Sequence, residues 1–126
     1  MTGPLTGMRG IVLTQAWAGS YCTELLAFMG ADIIQVEVRK RPDSWRGTYD
    51  APLAERLRQV ETANEAWNCN SLYNSVNLNK RCLTLDLQTE AGAATYRRLL
   101  PLTDFVVENF SPRVLGSNPS QAILLR

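Results

Sequence analysis

Two β-branched runs sit close together, with one helical pattern filling the space between them. "GIVLTQ" (residues 10–15) reads as a buried strand, and "ADIIQVEV" (31–38) reads as a second. The segment between them is too long for a hairpin turn and about right for a helical crossover. That spacing predicts a βαβ unit, and so a parallel sheet. Ser20 is the predicted helix N-cap, with Glu24 near its first turn. Cys22, Leu25, Leu26 and Met29 recur at i, i+3, i+4 and i+7, which predicts the core-facing side of that helix. Gly30 is placed to close it.

A second unit of the same kind follows. "RCLTLDL" (81–87) alternates Leu83, Leu85 and Leu87 with polar residues. Thr89 is a predicted cap, Glu90 suits a first turn, and Arg97 and Arg98 suit a last one. Ala93, Tyr96 and Leu100 share one side, and Pro101 stops the helix. "TDFVVEN" returns as a strand, its Phe105-Val106-Val107 run read as buried on both faces. The expectation is an α/β fold: a Rossmann-like parallel sheet with flanking helices, built from βαβ units. Strands are expected near 10–14, 32–37, 83–87 and 104–108, and helices over 20–29 and 90–100. Between the units, Arg39 to Val76 is a long connection of the kind that is usually functional or mobile. Leu53, Leu57 and Val60 mark a candidate short helix inside it.

Composition narrows the function. The 126 residues make room for one domain with a real core. Thirteen basic and twelve acidic residues give a net charge of +1 with no block of one sign, so nothing points to nucleic acid or a charged membrane surface. No apolar run reaches the length of a membrane span, and "MTGPLTGMRG" lacks a signal peptide's apolar centre. Cys22, Cys69 and Cys82 have no metal spacing and fit a reducing cytoplasm. The absence of histidine removes Ser-His-Asp and Cys-His catalysis, and most zinc sites. No metal is expected.

Three strand ends carry the candidate chemistry, because open parallel sheets bind ligands at the carboxyl ends of their strands. "QAWAGS" (15–20) offers small residues and a helix start, suited to a phosphate or to a plain capped turn. "SVNLNKRCLTLDLQ" (75–88) places Lys80 and Arg81 for phosphate oxygens, or forms a solvated turn before an edge strand. In "ENFSP" (108–112), Asn109 suits a ligand amide or base edge and Phe110 suits an adenine or a pantetheine arm. The alternative there is a polar loop with one aromatic anchor.

In order, "LTQAWAGSYCTELLAFMGADIIQVE", "NSVNLNKRCLTLDLQTEAG" and "DFVVENFSPRV" closely resemble the N-terminal part of the class III CoA-transferases, the CaiB/BaiF family. The resemblance runs from about Pro4 to Val114. It implies a fragment of a larger fold, with residues 1–115 as the CoA-binding α/β part and 116–126 as an atypical tail. It implies coenzyme A as substrate, and as partners an acyl-CoA and a carboxylic acid between which CoA moves. It also implies an interlocked homodimer, a form this short chain is not expected to complete. Carried over by position, Trp17 and Ala18 line the CoA site. Leu85, Asp86, Leu87 and Gln88 lie along its nucleotide part, and Asn109, Phe110 and Ser111 form the turn beside the CoA body. Arg39 stands one residue past the place of a phosphate-binding basic residue, where this chain has Val38. The family's aspartate nucleophile lies downstream of "ENF" and is matched by no residue here, so no catalytic residue is assigned. "GSNPSQAILLR" departs from the family's continuation, which suggests truncation or a frameshift. Two other readings remain: an α-methylacyl-CoA racemase-like enzyme, and a non-catalytic CoA-binding or dimerising fragment. Asn79-Lys80-Arg81 and Glu108-Asn109-Phe110 favour the transferase over the racemase.

Overall fold

The computed structural model describes residues 2–47 and 68–111. In chain order these form β1 (Arg9–Leu13), α1 (Ala18–Phe28), β2 (Asp32–Glu37), a 3-10 turn at Ser44–Arg46, and a short helix α2 (Ser71–Asn74). Then come β3 (Arg81–Thr84), α3 (Glu90–Leu99), a second 3-10 turn at Leu100–Leu102, and β4 (Phe105–Glu108). The four strands make one sheet in the order β3-β2-β1-β4, and every pairing is parallel. The predicted α/β architecture is therefore the one observed. The candidate helix around Leu53, and the tail, lie outside the described residues.

The sheet's two faces follow from the alternation of side chains along each strand. Ile11, Leu13 and Val36 point to one face and meet Tyr96 of α3, with Leu83, Leu85, Leu87 and Phe110 packed around them. Val12 and Ile33 point to the other and meet Ala27 of α1, with Leu26, Phe105 and Val107 alongside. β1 is apolar on both faces because helices cover both. Burying each of its Ile and Val side chains contributes about 1.5–3 kcal/mol.

α3 follows expectation. Thr89 caps it, its hydroxyl accepting from the Gly92 N–H at 3.0 Å. Ala93 and Tyr96 face the core. Gly30 follows α1 with φ at +101°, the left-handed geometry that favours glycine.

The structure corrects four local expectations. Ser20 is not the cap of α1: the helix starts earlier, Trp17 takes the cap position, and Ser20 is fully buried in the first turn. The core-facing side of α1 is Ser20, Thr23, Glu24 and Ala27. Cys22, Leu25 and Met29 face outward instead, so apolar periodicity picked the wrong side. Among the described residues β4 lies at the edge of the sheet, and its residues are all half-buried where a strand covered on both faces was expected. The third strand also ends sooner than predicted, at Thr84. Among the described residues, no helix is long and apolar enough to cross a membrane.

Tyr96 yields a test. It is fully buried, and its hydroxyl has no hydrogen-bond partner among the described residues. Burial pushes its pKa up to about 12. An unpaired buried hydroxyl is a net cost. Tyr96→Phe should therefore leave stability unchanged or raise it by up to about 1 kcal/mol, whereas Tyr96→Ala should lower it by about 3–5 kcal/mol. Denaturant melts of both variants check this, and a large loss in Tyr96→Phe would show that the hydroxyl is bonded.

Candidate functional site

The strand order reverses at β1. The chain runs outward from β1 through β2 to β3, then crosses back to lay β4 on β1's other side. The crevice outside the carboxyl ends of β1 and β4 is the topological switch point, where sheets of this kind bind ligands. Three segments meet there: Thr14 to Trp17 after β1, the start of α1, and Asn109 to Ser111 after β4.

Asn109 joins the two strand ends. Its Oδ1 accepts from the Gln15 N–H at 2.9 Å, and its Nδ2 donates to the Gln15 carbonyl at 2.9 Å. The carboxamide is thus engaged by the Gln15 backbone on both its oxygen and its nitrogen. Gly19 makes the fit possible: a Cβ there would lie 2.7 Å from the Asn109 Cγ and 2.9 Å from the Thr14 Cγ2. Phe110 also turns inward, half-buried against the α3-side core, and its backbone N–H donates to the Glu108 carboxylate at 2.8 Å. Ser111 is exposed.

The β1 side of the crevice has an unusual backbone. Ala16 has φ at +58°, the left-handed region. Its N–H donates to Asp43 Oδ2 at 2.8 Å, and Asp43 Oδ1 accepts from the Trp45 N–H at 2.9 Å. Trp17 is 61% exposed, and its ring meets that of Trp45 edge-on, with centroids 5.1 Å apart. Ala18 opens α1 and is exposed. Trp17 and Ala18 therefore lie at the switch point.

Beside the crevice, on the α1 face, lies a chain of buried polar groups. The Thr14 hydroxyl donates to Gln35 Oε1 at 3.0 Å, and Gln35 Nε2 donates back to the Thr14 carbonyl at 2.6 Å. At the end of β2, Arg46 forks onto Glu37, with Nε to Oε2 at 2.7 Å and a second bond to Oε1 at 2.8 Å. The Tyr73 hydroxyl donates to the same carboxylate, and the guanidinium lies 3.6 Å from the centre of the Tyr73 ring. Burial alone would raise the Glu37 pKa. The hydrogen bonds from Arg46 and Tyr73 outweigh it and hold the carboxyl below its ordinary value of 4.5. Burial and the adjacent Glu37 carboxylate push the Cys82 thiol up to about 11.

The remaining predicted residues divide. Leu85 and Leu87 pack on the α3-side core. Asp86 shapes the turn into α3: its carboxylate accepts from the Gln88 N–H at 3.0 Å and pairs with Lys40 at 3.2 Å. Those two contacts hold it below the ordinary carboxylate value. Gln88 and Arg39 are exposed. Lys80 and Arg81 are not arranged for phosphate. Lys80 Nζ donates to the Ser20 carbonyl at 2.7 Å and to Asn77 Oδ1 at 2.8 Å, and burial lowers its pKa to about 8. Arg81 pairs with Asp32 near the amino end of the sheet. Glu37, Asp43, Arg46 and Tyr73 went unremarked in the sequence. The signal for the first three was "VEVRKRPDSWR" itself: an Asp-Ser turn start within a run of charges directly after a strand.

The family model of CoA-transferase family III matches residues 5–118. The chain belongs to that family. It is 38% identical over 116 residues to a formyl-CoA:oxalate CoA-transferase of Bradyrhizobium diazoefficiens, covering 91% of this chain and 24% of that one. It is 37% identical over 107 residues to a succinate–glutarate CoA-transferase of Agrobacterium fabrum, covering 85% and 25%. The crystal structure of a CaiB/BaiF family protein from Brucella suis superposes with a TM-score of 0.69 at 32% identity, covering 92% of this chain and 28% of that one. The chain thus spans about a quarter of the length of the curated relatives it matches.

Two measurements test this geometry. Asn109→Ala removes both bonds to Gln15 and should cost about 1–3 kcal/mol of stability. Asn109→Asp keeps an acceptor for the Gln15 N–H but sets a carboxylate against the Gln15 carbonyl, so it should recover little. Denaturant melts that find Asn109→Ala neutral would remove the clamp. The second test uses pH. Because the folded pKa of Glu37 is depressed, its stabilisation is present above 4.5 and is lost as pH falls through the lower folded value. Glu37→Gln should cost on the order of 3 kcal/mol at neutral pH by leaving Arg46 without its anion. The gap to the unsubstituted protein should then narrow on acidification below 4.5. Melts across that range check the sign.

Proposed function

We propose that this chain forms the coenzyme A-binding part of an enzyme that moves CoA between two carboxylic acids. The observation that carries the reading is that two of the three blocks resembling the family, the one after β1 and the one after β4, meet at the switch point. Family membership supports CoA as the ligand.

In this reading Trp17, Ala18 and the start of α1 border the CoA body, with the edges of Phe110 and Ser111 across the crevice. Asn109 acts indirectly by holding Gln15. Arg39 and Gln88, both exposed at the carboxyl side of the sheet, are the candidates for the nucleotide end. The covalent step of the family reaction is assigned to no residue of this chain. The acid partners belong to the same proposal, as does a cytoplasmic location. A body over residues 1–115 with a separate tail is also part of it.

Calorimetric titration with CoA tests the reading, with NAD and ATP as comparators. CoA should bind more tightly than either, and Trp17→Ala should weaken it by about three- to tenfold through loss of aromatic contact. Tighter binding of NAD or ATP would replace this reading with that of a generic nucleotide-binding domain. The 126-residue chain alone should transfer no CoA with any acyl-CoA and acid pair. An aspartyl-CoA adduct found on it by mass spectrometry would overturn that expectation.

A further inference from the structure

α1 begins without a capping side chain: Trp17 occupies the cap position and its side chain makes no cap bond. Something else must set where the helix starts and how its first turn meets the crevice. The residue before it, Ala16, is held at φ +58°, a geometry an alanine disfavours roughly tenfold. Gln15 is fixed by Asn109, which leaves the turn at Ala16 to be set by the partner of its own N–H. That partner is Asp43, which is 2% exposed and has both carboxylate oxygens engaged by backbone N–H groups.

The two N–H groups belong to two different segments. One precedes Trp17 by a residue, and the other is that of Trp45 itself. A single carboxylate therefore ties the β1–α1 connection to the turn after β2. The Trp17 and Trp45 rings meet edge-on beside that tie.

We propose that Asp43 is a positioning residue that sets the left-handed turn at Ala16 and so builds the Trp17–Trp45 corner of the switch-point crevice. The corner is independent of any ligand. Its consequence for affinity rests on the CoA reading above.

The test uses the full chain with Trp67→Phe, which leaves Trp17 and Trp45 as the only tryptophans. Near-ultraviolet circular dichroism reads the coupling of the paired indoles, and Trp45→Phe supplies the uncoupled reference. Asp43→Ala should fall to that reference while far-ultraviolet dichroism stays unchanged, and CoA affinity should drop about tenfold. Adding Ala16→Gly, which takes up the left-handed turn without the alanine penalty, should restore affinity about fivefold. Denaturant melts alongside separate this local effect from the general gain in stability that the same glycine brings. Coupling that survives Asp43→Ala overturns the proposal, and so does an Ala16→Gly change that restores nothing. If Asp43→Ala fails to fold, Asp43→Asn is read instead. Its one amide oxygen can serve only one of the two N–H groups, so the coupling should fall partway, and full retention overturns the proposal. If the unsubstituted chain does not bind CoA, the CoA reading fails, and the dichroism still decides the role of Asp43.

Discussion

A helix that buries a polar stripe needs partners for it, and α1 buries one whose carboxylate and two of whose carbonyls are matched, the Ser20 hydroxyl alone having no partner among the described residues. Glu24 accepts the Leu78 N–H at 2.7 Å, the Ala27 carbonyl accepts from Asn79 at 2.8 Å, and the Ser20 carbonyl accepts from Lys80 at 2.7 Å. All three partners lie in the short stretch before β3. Buried polar groups left unmatched cost more than matched ones contribute, so these bonds fix α1 in rotation and along its axis. An oily helix face could slide by a fraction of a turn. This one cannot, and its amino end is therefore held in place at the strand ends.

The two sides of the sheet do different work for this reason. The α3 side is almost wholly apolar, a packed layer with Tyr96 at its centre. The α1 side changes character along the strands, from Val12 and Ile33 to Thr14, Gln35 and Glu37. The polar end is where chain segments distant in sequence must be fixed to one another. Directional bonds do that better than non-directional burial. The Arg46–Glu37–Tyr73 cluster is the densest example, binding the end of β2 to the short helix α2.

What the sequence revealed, and what it hid, divides along the same line. Both βαβ units were legible, because β1, β2 and α3 bury apolar side chains at the periods that mark strand and helix. Thr89 as a cap was legible because capping is local. The inner face of α1 was not. Its outward residues, among them Leu25 at 44% exposed and Phe28 at 41%, are more apolar than its buried ones, and periodicity finds apolar residues wherever they face. The "NSVNLNKR" block pointed to phosphate chemistry on residue type alone. Its polar side chains turn inward to the helix, which only the tertiary arrangement reveals. The place of the site was readable from strand ends. The roles of Asn109 and Asp43 depend on contacts with backbone 94 and 27 positions away.

That 94-residue separation also bears on how the protein comes into being. Closing so long a loop brings its entropic cost before any contact across it is made. β1, α1 and β2 are neighbours in sequence and can associate early, and β3 extends the same side of the sheet. β4 must travel past all of them to reach the far side of β1. The crevice therefore does not exist until the last strand has arrived. A growing chain that has released residues up to β3 can form the α1 layer but has neither the Tyr96 layer nor a place for a ligand, so small molecules can stabilise the four-stranded sheet without guiding its assembly.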